Sequence, residues 1–338
     1  MSSRAWFARS FRSRSGLLQW VLLLAAIGFV AWIIVSRGDD LKAALQLTPS
    51  IFVFITLSSF ATFALNGIEL QVLAGRFGRH IPFGEGQILG LMVSTLNYLP
   101  MKTGTVLNGV LMRARYKLPL TDFTALVAGS SVIHLWVCGV MAGAALLLGG
   151  GHLGWGLLFL LTPTVLVAGL VVWGRMRETG RFETHDSRVV RIAARAVDGV
   201  GGIFSDSRLL AKDVAINVGL VTLWAIRSYF SFKALGYDAS FGSVLTVTGL
   251  GILFTRLSII PGGVGLRETG AAFGSAITGL PADVGFAASV IDRAVMLFWL
   301  LLIGVPASVY LLRKAGVGLD DALRGPEARI EGDDDGAR

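Results

Sequence analysis

Apolar residues in this chain come in long blocks separated by short polar ones. The blocks occupy 17–35, 50–73, 87–112, 123–149, 155–174, 214–235, 243–279 and 285–312. A helix needs about 20 residues to cross ~30 Å of hydrocarbon, so the blocks predict membrane helices. Run 17–35 is uncharged and bracketed by Trp20 and Trp32; Trp155 and Trp173 bracket another, as suits two water interfaces. The first run is too long for a signal-peptide core, and its exit Val35-Ser-Arg-Gly38 has no small-residue cleavage site. Two blocks are interrupted. The first reads Asn97-Tyr-Leu-Pro100-Met-Lys102-Thr-Gly104 at its centre, and the second contains Pro261-Gly-Gly-Val-Gly265. Proline removes a helical N–H and glycine loosens the backbone, so both blocks predict broken helices.

Basic residues orient the spans, because cytoplasmic loops hold the excess of Lys and Arg. The N-terminus carries Arg4, Arg9, Arg12 and Arg14, and both 74–86 (Arg76, Arg79) and 113–122 (Arg113, Arg115, Lys117) are basic. Two basic loops flanking one apolar block require that block to enter and return on the same side. Block 87–112 is therefore expected to be a re-entrant hairpin from the cytoplasm. Block 243–279 lacks basic flanks and is expected to be a second hairpin, entered from outside. The resulting tally places 22 of the 30 basic residues inside, 2 outside and 6 at membrane depth. The expected fold is an all-α polytopic membrane protein with six transmembrane crossings plus two re-entrant helical hairpins. Its predicted parts are a basic cytoplasmic N-terminus (1–16), one membrane domain (17–312) and an acidic, disordered cytoplasmic tail (313–338). Within the domain, cytoplasmic segment 175–213 separates the two halves; 181–208 is either a basic helix on anionic headgroups or a solvated loop.

Composition agrees. The 338 residues are 54% hydrophobic and only 15% charged, with mean hydropathy +0.68. A soluble domain is nearer 25% charged, so a soluble enzyme, a disulfide scaffold and a disordered chain are excluded. The net charge of +8 lies in loops facing one membrane side, which argues against a nucleic-acid partner. One cysteine, Cys138, can form no internal bridge.

The two interrupted blocks resemble each other. Pro100-x-x-x-Gly104 matches Pro261-x-x-x-Gly265, Leu118-Pro119 matches Leu280-Pro281, and Ser131-Val-Ile133 matches Ser289-Val-Ile291. Segments of about 50–149 and 214–312 then form an inverted-topology repeat, with broken helices meeting near the midplane.

Eight of the ionisable groups in or beside the apolar blocks are candidates for a site: Glu69, Lys102, Arg227, Arg256, Arg267, Glu268, Asp292 and Arg293. At roughly 3 kcal/mol each, exposing all eight to lipid costs about 24 kcal/mol, more than the ~5–15 kcal/mol stability of an ordinary domain. They must face one another or a wet cavity. Five are cationic and three anionic, so the cavity has a positive surplus and suits an anion. Gly262, Gly263 and Gly265 let backbone approach a ligand, Arg267 offers a planar fork for phosphate, and Glu268 suits the first turn of a following helix near 268–279. Alternatively these glycines only permit a tight turn, with Arg267 and Glu268 as an ion pair at its tip. Lys102 either faces the same ligand or reaches the cytoplasmic interface. Arg227 and Glu69 are either a buried pair or ligand contacts; Asp292 and Arg293 can be either, and Arg256 is a ligand or pairing group. His134, in the repeat position of Asp292, is either a proton relay or a satisfied core histidine. Asn66 and Asn97 are expected to satisfy broken backbone, and Trp136, Trp224 and Trp299 to pack or to sit at the interface. No catalytic motif, metal-ligand spacing or cofactor-binding loop is legible, so no catalytic residue, metal or cofactor is expected.

The break Leu99-Pro-Met-Lys-Thr-Gly104, the run Pro261-Gly-Gly-Val-Gly-Leu-Arg-Glu268 and the following Asp292-Arg293 resemble the flippase-like membrane region of lysylphosphatidylglycerol synthases, the multiple peptide resistance factors. The resemblance covers about 17–312. Thr105 and Asn108 stand where that family usually has an acidic residue and an arginine. It implies a stand-alone translocator of a phospholipid, glycolipid or lipid-linked intermediate in the bacterial cytoplasmic membrane, with both termini cytoplasmic and a lipid-modifying enzyme as a possible partner. The alternative is an integral-membrane enzyme or accessory subunit acting on a lipid-linked substrate.

Overall fold

The computed structural model describes residues 48–98, 103–149, 153–178, 201–202, 204–257 and 263–314. The first apolar run, segment 179–200, the acidic tail, Lys102 and Gly262 lie outside the described residues.

Every element among the described residues is helical. The order is α1 (Pro49–Arg76), α2 (Phe83–Leu96), α3 (Thr103–Tyr116), α4 (Leu120–Leu148), α5 (Leu153–Glu178), α6 (Ser207–Ala234), α7 (Phe241–Leu257), α8 (Leu266–Ile277), α9 (Ala282–Trp299), a π-helical turn (Leu300–Gly304) and α10 (Val305–Lys314). Among the described residues four apolar helices are long enough to cross a membrane: α1, α4, α6 and the continuous run Ala282–Lys314. Twenty-eight residues at 1.5 Å rise span about 42 Å, more than the hydrocarbon needs.

Local sequence sets the boundaries. Pro49 opens α1, where its missing N–H is no loss. Pro82, Pro119 and Pro281 occupy the N-cap positions of α2, α4 and α9. Helix α6 starts at Ser207, seven residues before the apolar run at 214. Asp206 accepts from the N–H groups of Arg208 and Leu209, both at 3.1 Å, and so fixes the start there.

The helices repeat as long, short, short, long. Within each half the short pair folds back antiparallel: Glu85 meets Arg115 and Asn97 meets Thr105 in the first. In the second, Gly274 and Gly270 lie against Val247 and Leu250; a Cβ at Gly274 would stand 2.7 Å from Val247 Cα. The halves interlock. Helix α1 runs antiparallel to α6, from Phe54 stacked on Phe230 at 4.6 Å to Arg76 beside Asp206 at 3.4 Å. Helix α7 packs on α4, with Thr246 donating to the Ala142 carbonyl, and α2 packs where Thr95 meets Gly304 of the π turn. Leu73, Leu89, Met92, Leu111 and Ile133 fill the core, while Leu158, Leu166, Leu301 and Val309 stay exposed. An apolar exterior of this kind suits lipid rather than water.

Candidate functional site

Where the broken helices face the long ones, a cavity of about 340 Å³ opens. That is near the lower end of small-molecule pockets (~300–1,000 Å³). Six of the expected site residues line it: Glu69, Asn97, Arg227, Arg256, Arg267 and Arg293. Asp292 and Glu268 stand directly behind its arginines.

The basic wall is built by four elements. Arg227, on α6, is 1% exposed and holds Asp292 of α9 at two points, Nε to Oδ1 at 2.6 Å and Nη2 to Oδ2 at 3.2 Å. Arg267, in the first turn of α8, donates to the same carboxylate. Arg293 places Nε 2.8 Å from Glu268 Oε1 and reaches the Gly263 carbonyl at 3.4 Å. One aspartate thus serves two guanidinium groups. Arg256, at the end of α7, lines the cavity, is exposed, and forms no ion pair among the described residues. Four arginines face three carboxylates (Glu69, Glu268, Asp292), a formal surplus of one positive charge. Arg227 Nη1 and Arg293 Nη1 have no hydrogen-bond partner among the described residues. Buried guanidinium donors left free are costly unless something negative completes them.

The second break is shaped by its glycines. Gly263 and Gly265 take φ of 62° and 85°, which side-chain-bearing residues rarely adopt. Gly265 caps α8, and Glu268 folds back to accept its N–H at 2.8 Å. Glu268 therefore holds the turn and Arg293 together. The expected alternative of an Arg267–Glu268 tip pair is not what forms. Adjacent helical residues point about 100° apart, and each takes a partner on α9.

At the first break Asn97 performs the expected backbone role. Its Oδ1 accepts from the Thr105 N–H at 2.9 Å and the Thr105 hydroxyl at 3.1 Å. Thr105 and Asn108 both line the cavity. Lys102 and Gly262 fall outside the described residues.

The opposite wall is polar and acidic. Glu69 does not pair with Arg227; it accepts from Ser130 at 2.7 Å and from Asn217 at 3.2 Å. Asn217 also accepts from His134 Nδ1 at 2.5 Å, and His134 packs on Trp224 with ring centres 5.1 Å apart. Trp224 lines the cavity, and so goes beyond the packing role expected of it. Trp136 and Trp299 pack as expected, donating to Thr164 and Thr56. Sequence reasoning missed Tyr98, Ser130, Asn217 and Asp213. Asp213 and Asn217 carried a legible signal, two polar residues four apart on one helical face.

Residues 18–304 match the lysylphosphatidylglycerol synthase TM region. The chain belongs to that family. It is thus a multi-pass α-helical membrane protein of a lipid-related family. A UPF0104 membrane protein of Methanothermobacter thermautotrophicus is 34% identical over 143 residues, 42% of this chain and 41% of that protein. Another match to a UPF0104 membrane protein of that organism is 24% identical over 127 residues, 36% of the chain and 38% of that protein. The chain thus spans about two fifths of the length of these curated relatives. No solved structure matches the chain significantly.

Proposed function

We propose that the protein translocates an anionic or zwitterionic lipid across the cytoplasmic membrane, with the headgroup phosphate in the basic cavity and the acyl tails in the bilayer. The observation that carries this reading is the sharing of Asp292 by Arg227 and Arg267 while Arg256 faces the same space with no ion pair among the described residues. A phosphate supplies the missing negative charge and matches the guanidinium fork.

In this reading the paired short helices α2–α3 and α7–α8 are re-entrant, entering from opposite sides, and six crossings complete an inverted repeat. Both termini then lie in the cytoplasm. One half rocks against the other around the fixed cavity, opening it to each leaflet in turn. No covalent bond changes in this step, and a lipid-modifying enzyme would be the partner that supplies the cargo.

The test is reconstitution in vesicles of phosphatidylethanolamine and phosphatidylglycerol carrying fluorescent phosphatidylglycerol, with dithionite bleaching to score leaflet exchange. Wild-type protein speeds exchange, and Arg267→Ala and Arg256→Ala slow it. Exchange by both variants at the wild-type rate would defeat the proposal, as would a covalent change in the lipid's mass.

A further inference from the structure

Behind the acidic wall lies a buried polar group that the anion site does not use. Asp213, on α6, is fully buried, and neither carboxyl oxygen has a partner among the described residues. A naked carboxylate in such a place is expensive. Asn217, one turn on, ties it to the cavity: its Nδ2 donates to the Asp213 carbonyl at 2.9 Å and to Glu69 at 3.2 Å. His134 is also fully buried, and its Nε2 has no partner among the described residues.

The two halves differ at matched positions. Glu69 lies twenty residues beyond Pro49 in α1, and Arg227 twenty beyond Ser207 in α6. His134 follows Ser131-Val-Ile133 as Asp292 follows Ser289-Val-Ile291. In the second half these positions hold a fixed ion pair. In the first half they hold a glutamate and a histidine, neither in an ion pair among the described residues.

We propose that Asp213 and Glu69 form a proton-binding site coupled to the cavity, so that lipid movement is accompanied by a proton. This rests on the translocation reading. Glu69 lines the cavity and Asp213 does not, so a proton passing between them connects the buried end of α6 with the cargo. The electrostatics give the sign. Protonating Glu69 removes one of three carboxylates opposing four arginines, raising the formal surplus from one to two, so proton uptake and phosphate entry favour each other. Linkage makes the coupling reciprocal.

The surroundings support the site. From α1 the charge facing Asp213 is Glu69, and from α4 His134 and Ser130 close the network. Arg256 of α7 acts on His134. Asp292 of α9 is committed to Arg227, fourteen residues further along α6, about 21 Å away along the axis. On α6 itself Lys212 is exposed, and Asp206 caps the helix at its end. A proton fits better than a metal ion, since no group of three metal-ligating side chains occurs among the described residues.

Two measurements decide this. Infrared difference spectra of the protein in phosphatidylethanolamine–phosphatidylglycerol vesicles, taken across a pH titration, should show a carboxylic-acid C=O band. Asp213→Asn should remove it and Asp213→Glu should keep it. In the same vesicles a pH gradient should speed exchange of fluorescent phosphatidylglycerol roughly tenfold in wild type, and Asp213→Asn should lose that response. If Asp213→Asn does not fold, Asn217→Leu replaces it, keeping the band and losing the response. Superimposable wild-type and Asp213→Asn spectra overturn the site, as does a band that follows sodium rather than pH. Exchange that ignores the gradient overturns the coupling. Absence of any wild-type exchange sinks the translocation reading and the coupling with it, while the infrared result still decides the site.

Discussion

Arg227 and Asp292 meet through two contacts, at 2.6 and 3.2 Å, between side chains exposed by 1% and 0%. The pair joins α6 to α9, and Arg267 of α8 leans on the same carboxylate. Removing Asp292 strands two guanidinium groups, one fully buried. Breaking a buried pair from one side costs about 3–5 kcal/mol. Asp292→Ala should therefore lower stability by that order in thermal unfolding of the purified protein. An unchanged midpoint would show that the aspartate is dispensable to packing.

The helix breaks are legible in the sequence because proline and glycine act locally, and the burial of charge because lipid leaves it few other places. Partner choice is not legible. The sequence leaves Arg227 and Glu69 open as a pair or as ligand contacts and offers an Arg267–Glu268 tip pair only as the alternative, yet Asp292 takes both arginines. Which carboxylate meets which guanidinium depends on the rotation of α6, α8 and α9 about their axes, and the apolar pattern leaves that open. Asp213 escapes notice for a different reason. Hydropathy alone begins the span at 214 and assigns Asp213 to the cytoplasmic segment, whereas the Asp206 cap carries the helix seven residues further back.

Arg256 separates binding from stability. It lines the cavity without an ion pair among the described residues and is exposed there. Hydrogen bonds to charged groups are worth about 1.5–3 kcal/mol. Arg256→Ala should weaken fluorescent phosphatidylglycerol binding roughly tenfold or more and leave the unfolding midpoint near wild type. Equal binding by both proteins would remove Arg256 from the site.

The Asp206 cap predicts a pH dependence. Its carboxyl is held below the ordinary carboxylate range, first by the Leu209 N–H, with the Arg208 N–H and the Arg76 guanidinium adding to it. A lowered value in the folded state gives stability that is full above the unfolded value of about 4 and is lost as pH falls through the folded one. The amide introduced by Asp206→Asn still caps the helix but carries no charge. The midpoint difference between wild type and Asp206→Asn should be present at neutral pH and close on acidification. A difference that grows in acid would contradict this sign.

Gly274 tests whether α7 and α8 must touch. Its missing side chain lets the backbones approach, and a Cβ there would lie 2.7 Å from Val247 Cα, main chain that cannot swing aside. Gly274→Ala should cost about 1–3 kcal/mol by overpacking and part the two arms. Parting them moves Arg267, in the first turn of α8, away from Asp292, so fluorescent phosphatidylglycerol binding should fall together with stability. Gly75→Ala is the control. Gly75 sits in α1 with nothing within 4 Å of the added atom, so the change should be neutral or stabilising by up to about 1 kcal/mol. Unfolding midpoints and binding of the two variants, measured side by side, check the contact. If Gly274→Ala behaves like Gly75→Ala in both, close packing of the arms does not set the position of Arg267.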